Sequence, residues 1–191
     1  MPKGKGSKRY SARAMEKARI QRAVDKMFSY SIETSEEGGQ NNYFFREKQK
    51  ELLIQRYGAK VVKPILSKLM ELDKANLLHF YRVTVWDASR IISECATPNH
   101  AVAVARVLNL EGIIADCDRS ARGRLLEALV RIGHTQALDH LAAFMESAKR
   151  IPYGVRHSLD LPREVSFFRK LDCDDIAWAI EACKKRQFTT A

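Results

Sequence analysis

The sequence predicts an all-α chain, a short stack of helical hairpins behind a basic N-terminal arm. Three observations carry this expectation. Apolar residues recur at helical spacing through most of the chain beyond residue 43. Sustained period-two alternation is missing, as is any Asn-Gly or Asp-Gly hairpin turn. Matching apolar positions also return at a fixed interval. Val104, Val107 and Leu108 lie 37 positions before Leu141, Phe144 and Met145, and Ile180 lies 39 after Leu141. Ile65, Leu66, Leu69 and Met70 precede His140, Leu141, Phe144 and Met145 by about 75, close to two such intervals. A unit near that length with two helices falls in the α-solenoid range.

Residues 1–10 hold two glycines, a proline and no aliphatic side chain beyond Met1, a composition that remains disordered on its own. A helix is predicted from Ser11, its N-cap. Ile20, Val24, Met27 and Phe28 form one apolar stripe on it, while Arg19, Arg22 and Lys26 follow i, i+3, i+7 on another face. Residues 31–42, polar, acidic and glycine-bearing, read as a linker. These boundaries divide the chain into an arm (1–30), the linker (31–42) and a helical-repeat domain (43–187).

Within the repeat domain, a helix over 43–57 is closed by Gly58, and a second spans 60–72, with Pro64 tolerable near its start. Residues 75–95 predict a long helix apolar on most faces, suited to the middle of the stack. Thr97-Pro98 supplies an N-cap and an N1 proline for a helix to about Ile114. Asp118 caps a helix over 119–132 with Leu125, Leu126, Leu129 and Val130 as its buried stripe, and Gly133 ends it. Residues 135–148 repeat the theme through Leu138, Leu141, Ala142 and Met145. After a loop at 149–160, a short helix runs from Asp160-Leu161-Pro162 to about Leu171. A last one runs from Asp174 to about Arg186, with Ile176, Trp178 and Ile180 as apolar content.

The segment 120–145, SARGRLLEALVRIGHTQALDHLAAFM, resembles a HEAT repeat: an early Arg, an Ala-Leu-x-x-Ile-Gly close to the first helix, then a second helix of Ala and Leu. The hairpins at 43–72, 76–114 and 161–186 share only its spacing and apolar pattern. The resemblance implies a curved binding scaffold rather than a reaction. The clear unit lacks the consensus proline of its first helix, and the 149–160 loop breaks regularity, so an irregular helical bundle is the alternative architecture.

Composition narrows the function. The chain is 46% hydrophobic and 29% charged, ordinary for a soluble domain. It has no apolar run near the ~18 residues of a membrane span, and no apolar segment behind the basic start to make a secretory signal. Cys95, Cys117, Cys173 and Cys183 form no CxxC and read as reduced thiols of a cytoplasmic protein. The net charge of +10 is concentrated. Residues 1–27 carry Lys3, Lys5, Lys8, Arg9, Arg13, Lys17, Arg19, Arg22 and Lys26 against Glu16 and Asp25, a net +7 that leaves +3 for everything else.

Such an arm matches the counterion-displacing chemistry of phosphate binding, on DNA or RNA. Docking on an acidic protein within a larger assembly is the next reading, and a solvated tail the third. A membrane-surface role is disfavoured by an apolar face with one Phe and no Trp. A second basic cluster, Lys149, Arg150, Tyr153, Arg156 and His157, sets an aromatic among cations in a long loop, as single-stranded nucleic acid requires; an ordinary polar connection is the other reading. Arg119, Arg122, Arg124 and Arg131 read as a solvated face partly paired with Glu127.

Catalysis has little support in the residues. A P-loop, GxGxxG, HExxH or GxSxG is missing, and His134 and His140, six apart, do not share a helix face as metal ligands would. The Asp-Cys-Asp repeats at 116–118 and 172–174 stand at helix starts, where capping explains them better than a cation or redox role. Some HEAT-like proteins are DNA glycosylases using aromatics and one Asp, a resemblance that would nominate Trp86, Trp178 and Asp87. The apolar pattern instead assigns both tryptophans to the core. The sequence therefore predicts a non-catalytic scaffold or adaptor with no cofactor and no metal, in which loss of residues 1–27 weakens nucleic-acid binding.

Overall fold

A computed structural model describes residues 12–33, 39–110, 113, 119–132, 138–139, 141–143, 176–182 and 184–185, and among these every regular element is helical. Among the described residues the principal helices are α1 (Ala12–Glu33), α2 (Gly39–Tyr57), α3 (Val62–Lys74), α4 (Arg82–Cys95), α5 (Ala101–Leu108) and α6 (Arg119–Ile132), with further helical residues at 138–139, 141–143, 176–182 and 184–185. Their neighbours define two layers. α2, α4 and α6 lie side by side, and α3 lies beside α5. The packing is consistent with a helical bundle or with a short solenoid.

The turns follow from local chemistry. Gly58, at φ +49, ends α2 in a conformation that disfavours a side chain, and a 3-10 turn (Gly58–Val61) leads into α3. Pro64 falls in the first turn of α3, where its missing N–H costs no intrahelical bond. α3 stops at a Schellman motif: Asn76 sits at φ 54, its N–H reaches the Asp73 carbonyl at 2.9 Å, and the Leu77 N–H reaches the Leu72 carbonyl at 2.9 Å. The helix expected over 75–95 is thereby split. A 3-10 turn (Leu78–Tyr81) comes first, and α4 begins only at Arg82.

Thr97 and His100 cap the next element reciprocally around Pro98, with the Thr97 N–H donating to His100 Nδ1 at 3.1 Å. The helix expected to reach Ile114 ends at Leu108. There Asn109 folds its side-chain amide back onto the Ala105 carbonyl at 2.9 Å, competing with helix continuation.

α4 is the central helix, as expected for its apolar character. Val85, Ala88, Ile91 and Ile92 are buried, and it touches α1, α2, α3 and α6. A continuous core runs from these residues through Val61, Ile65, Leu69, Val104, Leu108, Leu125 and Leu129 to Leu141 and Ile176.

α1 belongs to this core rather than to a detached arm. Ile20, Val24, Met27 and Phe28 are buried, and the Phe28 ring meets Tyr81 at a 6.1 Å centroid distance. The helix packs against α2, α3, α4 and the two 3-10 turns at Gly58–Val61 and Leu78–Tyr81. It continues through Glu33 and α2 starts at Gly39, so helix occupies both ends of the expected 31–42 linker. Trp178, expected inside, is 55% exposed; Ile176 and Ala179 occupy the buried side of that helix instead. Ala142, expected on the buried stripe, is exposed beside buried Leu141. Ser11, Asp118, the 149–160 loop and the 161–171 helix lie outside the described residues.

Candidate nucleic-acid interface

Eight consecutive residues at the start of α1, 12–19, are all exposed, whereas the buried stripe begins at Ile20. The first two turns, about 12 Å at 1.5 Å per residue, therefore run ahead of the packed part of the helix, with Lys60 of the body reaching out to them at Glu16. Arg13, Lys17, Arg19, Arg22 and Lys26 are exposed along this helix. At 3.6 residues per turn Arg19, Arg22 and Lys26 stand about 140–160° from Val24, on the face turned away from the core. Arg13 and Lys17 instead continue the line of the buried stripe and stay exposed because the packed part of α1 begins only at Ile20. Of the two acids on the arm, Glu16 is engaged by Lys60 of the body at 2.6 Å, and Asp25 accepts from Gln21 at 3.1 Å. The predicted contacts Lys3, Lys5, Lys8, Arg9, Lys149, Arg150, Tyr153 and Arg156 lie outside the described residues.

The cations of the α2–α4–α6 layer are used differently. Lys50, 2% exposed, lies between Glu47 and Asp87, with Asp87 Oδ1 at 2.8 Å. That contact is an ion pair by distance, off the line of a well-formed hydrogen bond. Arg46 holds the other Asp87 oxygen and also donates to the Val83 carbonyl at 3.2 Å. Arg90 bridges Glu47 at 2.9 Å and Glu94 at 3.0 Å. Burial alone would raise the Glu47 pKa, but the Lys50 and Arg90 charges outweigh it and hold the carboxyl below its ordinary range. Trp86, on α4 between α2 and α6, has Lys50 Nζ and the Arg124 guanidinium each 4.8 Å from its ring centroid.

Arg122 and Arg131 of α6 correct the solvated-face expectation in part, while the Arg119 side chain lies outside the described residues. Arg122 is buried, with Nη1 3.4 Å from the Ile113 carbonyl. Arg131, itself exposed, reaches back to the Ser93 and Ala96 carbonyls at 3.0 and 2.7 Å, closing the C-terminus of α4. Charge at that helix end also satisfies carbonyls left without an intrahelical partner.

This polar cluster is what the sequence reading missed. A signal existed: Arg46 and Lys50 fall in register with buried Leu53 and half-buried Ile54 and Tyr57, on the inward face of α2. Cations on an inward face require buried acids, and Asp87 sits in the most apolar helix of the chain. The arrangement also bears on Asp87 as a catalytic carboxylate, since both its oxygens are occupied by cations and its side chain is 3% exposed. Trp86 and Trp178 differ as well, one half-buried among cations and the other largely exposed.

Elsewhere, Cys95 is a free, half-buried thiol whose pKa is raised by burial and by Glu94. No group of three or more His, Cys, Asp or Glu among the described residues is placed to hold a metal, and no helix among them is long and apolar enough to cross a membrane. Comparison with protein-family models, with curated proteins and with solved structures finds no match to this chain.

Proposed function

We propose that the chain is a non-catalytic, nucleic-acid-associated scaffold, a HEAT-like helical-repeat body whose basic N-terminal region contacts the phosphate backbone without reading sequence. One observation carries the reading: five cations of α1 are exposed on a helix fixed to the core by Ile20, Val24, Met27 and Phe28, while Arg46, Lys50, Arg90, Arg124 and Arg131 of α2, α4 and α6 are engaged by acids, carbonyls or Trp86. The end helix of a stack needs a polar outer face, but that need is indifferent to sign. A face carrying Arg19, Arg22 and Lys26 in line exceeds it and suits a polyanion.

A second reading rests on a separate feature. Leu77, Phe80 and Val83 are 40%, 65% and 53% exposed at the corner between α3 and α4, a cluster of large apolar side chains that favours a protein partner. On that reading the chain is an adaptor or a subunit of a larger assembly, and α1 lies on an acidic protein.

A binding titration with mixed-sequence nucleic acid separates the two. The scaffold reading expects affinity to fall by about 10³-fold or more between 50 and 200 mM salt, with little dependence on sequence. Absence of binding at 50 mM salt, with a stoichiometric protein partner that survives nuclease treatment, overturns it in favour of the adaptor. Removal of residues 1–27 is a poor test, because it deletes Ile20, Val24 and Met27 from the core.

A further inference from the structure

We infer that the projecting turns of α1 enter the major groove of B-form duplex DNA, with cations on opposite sides of the helix meeting the phosphates of the two groove walls. The inference rests on the nucleic-acid reading above and specifies its substrate. A helix lying on a charged surface needs cations on one face, but the first half of α1 carries them on two, Arg13 and Lys17 on the overhang and, opposite, Arg19 at its end with Arg22 in the turn that follows. Arg13 and Lys17 fall within about 20° of Val24, while Arg19 and Arg22 stand about 140–160° away at 3.6 residues per turn.

The flanks between these two faces are narrow. Ala12, Ala14 and Ala18 occupy three of those positions, and Glu16, on another, is engaged by Lys60. A helix of about 10–12 Å diameter matches a groove about 12 Å wide, and the ~12 Å overhang gives it the reach to enter.

Alternative nucleic acids fit less well. The A-form major groove of duplex RNA is deep and too narrow to admit the helix. Single strands are held by aromatic platforms, and the exposed residues of α1 between 12 and 29 include no aromatic. Met15 is the one large apolar side chain exposed on the overhang. With Arg13, Lys17, Arg19 and Arg22 directed to the groove walls, contact is to phosphates and independent of sequence.

The test uses the full chain with two paired variants, R13Q/K17Q and R19Q/R22Q, titrated against duplex DNA, duplex RNA and single-stranded DNA over a salt series. All four positions are exposed, and unchanged circular dichroism and melting temperature establish that folding is intact. Each pair is expected to reduce the salt slope on duplex DNA by about 1.8, because two phosphates at about 0.9 each are no longer neutralised. Duplex RNA is expected to bind about tenfold or more weakly, because the helix cannot enter its groove. Methyl green, a major-groove ligand, should compete with the protein, whereas the minor-groove ligand distamycin should not. Equal affinity for the two duplexes, or a slope change from one pair alone, overturns groove entry while leaving phosphate binding intact. Failure to bind any of the three removes the scaffold reading and groove entry with it.

Discussion

α1 and the α2–α4–α6 layer contain the same kinds of basic residue and put them to opposite uses. In the layer, Lys50 is enclosed by Glu47, Asp87 and Trp86, and Arg131 closes the end of α4 through two carbonyls. On α1, Arg13, Lys17, Arg19, Arg22 and Lys26 are exposed on a helix whose inward face is apolar. A count of Lys and Arg therefore overstates the charge a partner can reach. Availability depends on enclosure: Arg22 donates to the Ala18 carbonyl at 3.3 Å and still stands in solvent, whereas Lys50 is enclosed.

The contrast breaks most visibly at Lys50. Lys50→Ala leaves Asp87 and Glu47 short of a buried counter-charge, and chemical denaturation should register a loss of about 3–5 kcal/mol. A Lys50→Met/Asp87→Leu pair should cost much less than the sum of its single changes, because the buried charges leave together. An additive result would show that the two residues do not act as a pair.

Next in size is the anchoring of α1. Ile20→Ala opens a cavity where the stripe meets the body and should lower stability by about 2 kcal/mol, at the low end for such truncations because the site adjoins solvent. Met15→Ala, five residues earlier on the overhang, should change stability by less than about 0.5 kcal/mol. Similar losses at both positions would place the overhang in the core after all.

A smaller effect is expected from pH. Lys50 and Arg90 hold the Glu47 carboxyl below its ordinary range against the opposing effect of burial. Its folded state binds fewer protons than the unfolded chain. The stabilisation is thus complete above the unfolded value near 4.5 and is lost as pH falls through the folded one. Unfolding free energies measured from pH 7 downward should decline more steeply for the native chain than for Glu47→Gln in that acid window. Parallel curves would mean that Glu47 titrates alike in both states.

How much of this was legible in the sequence depended on range. The α1 stripe, the Gly58 stop, the Thr97-Pro98 cap and the centrality of the helix ending at Cys95 were readable, because each is decided within a turn or two. Asn76 was overlooked because a left-handed C-terminal residue and a helix-starting Asn look alike without their hydrogen bonds, and Asn76 proves to be the former. Asn109 ended α5 through its own side chain, against a run of good helix formers. The Arg46–Asp87 and Glu47–Arg90 pairs join residues 41 and 43 positions apart, and no local pattern announces them. The arm illustrates both cases: its charge was plain in the composition, while its attachment to the body needed Phe28 beside Tyr81 to be seen.

The smallest effect on stability should accompany the largest effect on binding. R19Q/R22Q/K26Q removes the three outward cations of α1 and should shift stability by less than about 0.5 kcal/mol. The most direct measurement is the slope of log affinity against log salt for this variant and the native chain on one duplex of mixed sequence. The predicted slope is shallower by about 2.7, three phosphates at about 0.9 each. An unchanged slope in a fully folded variant would place the contact elsewhere and contradict the division between inward and outward cations.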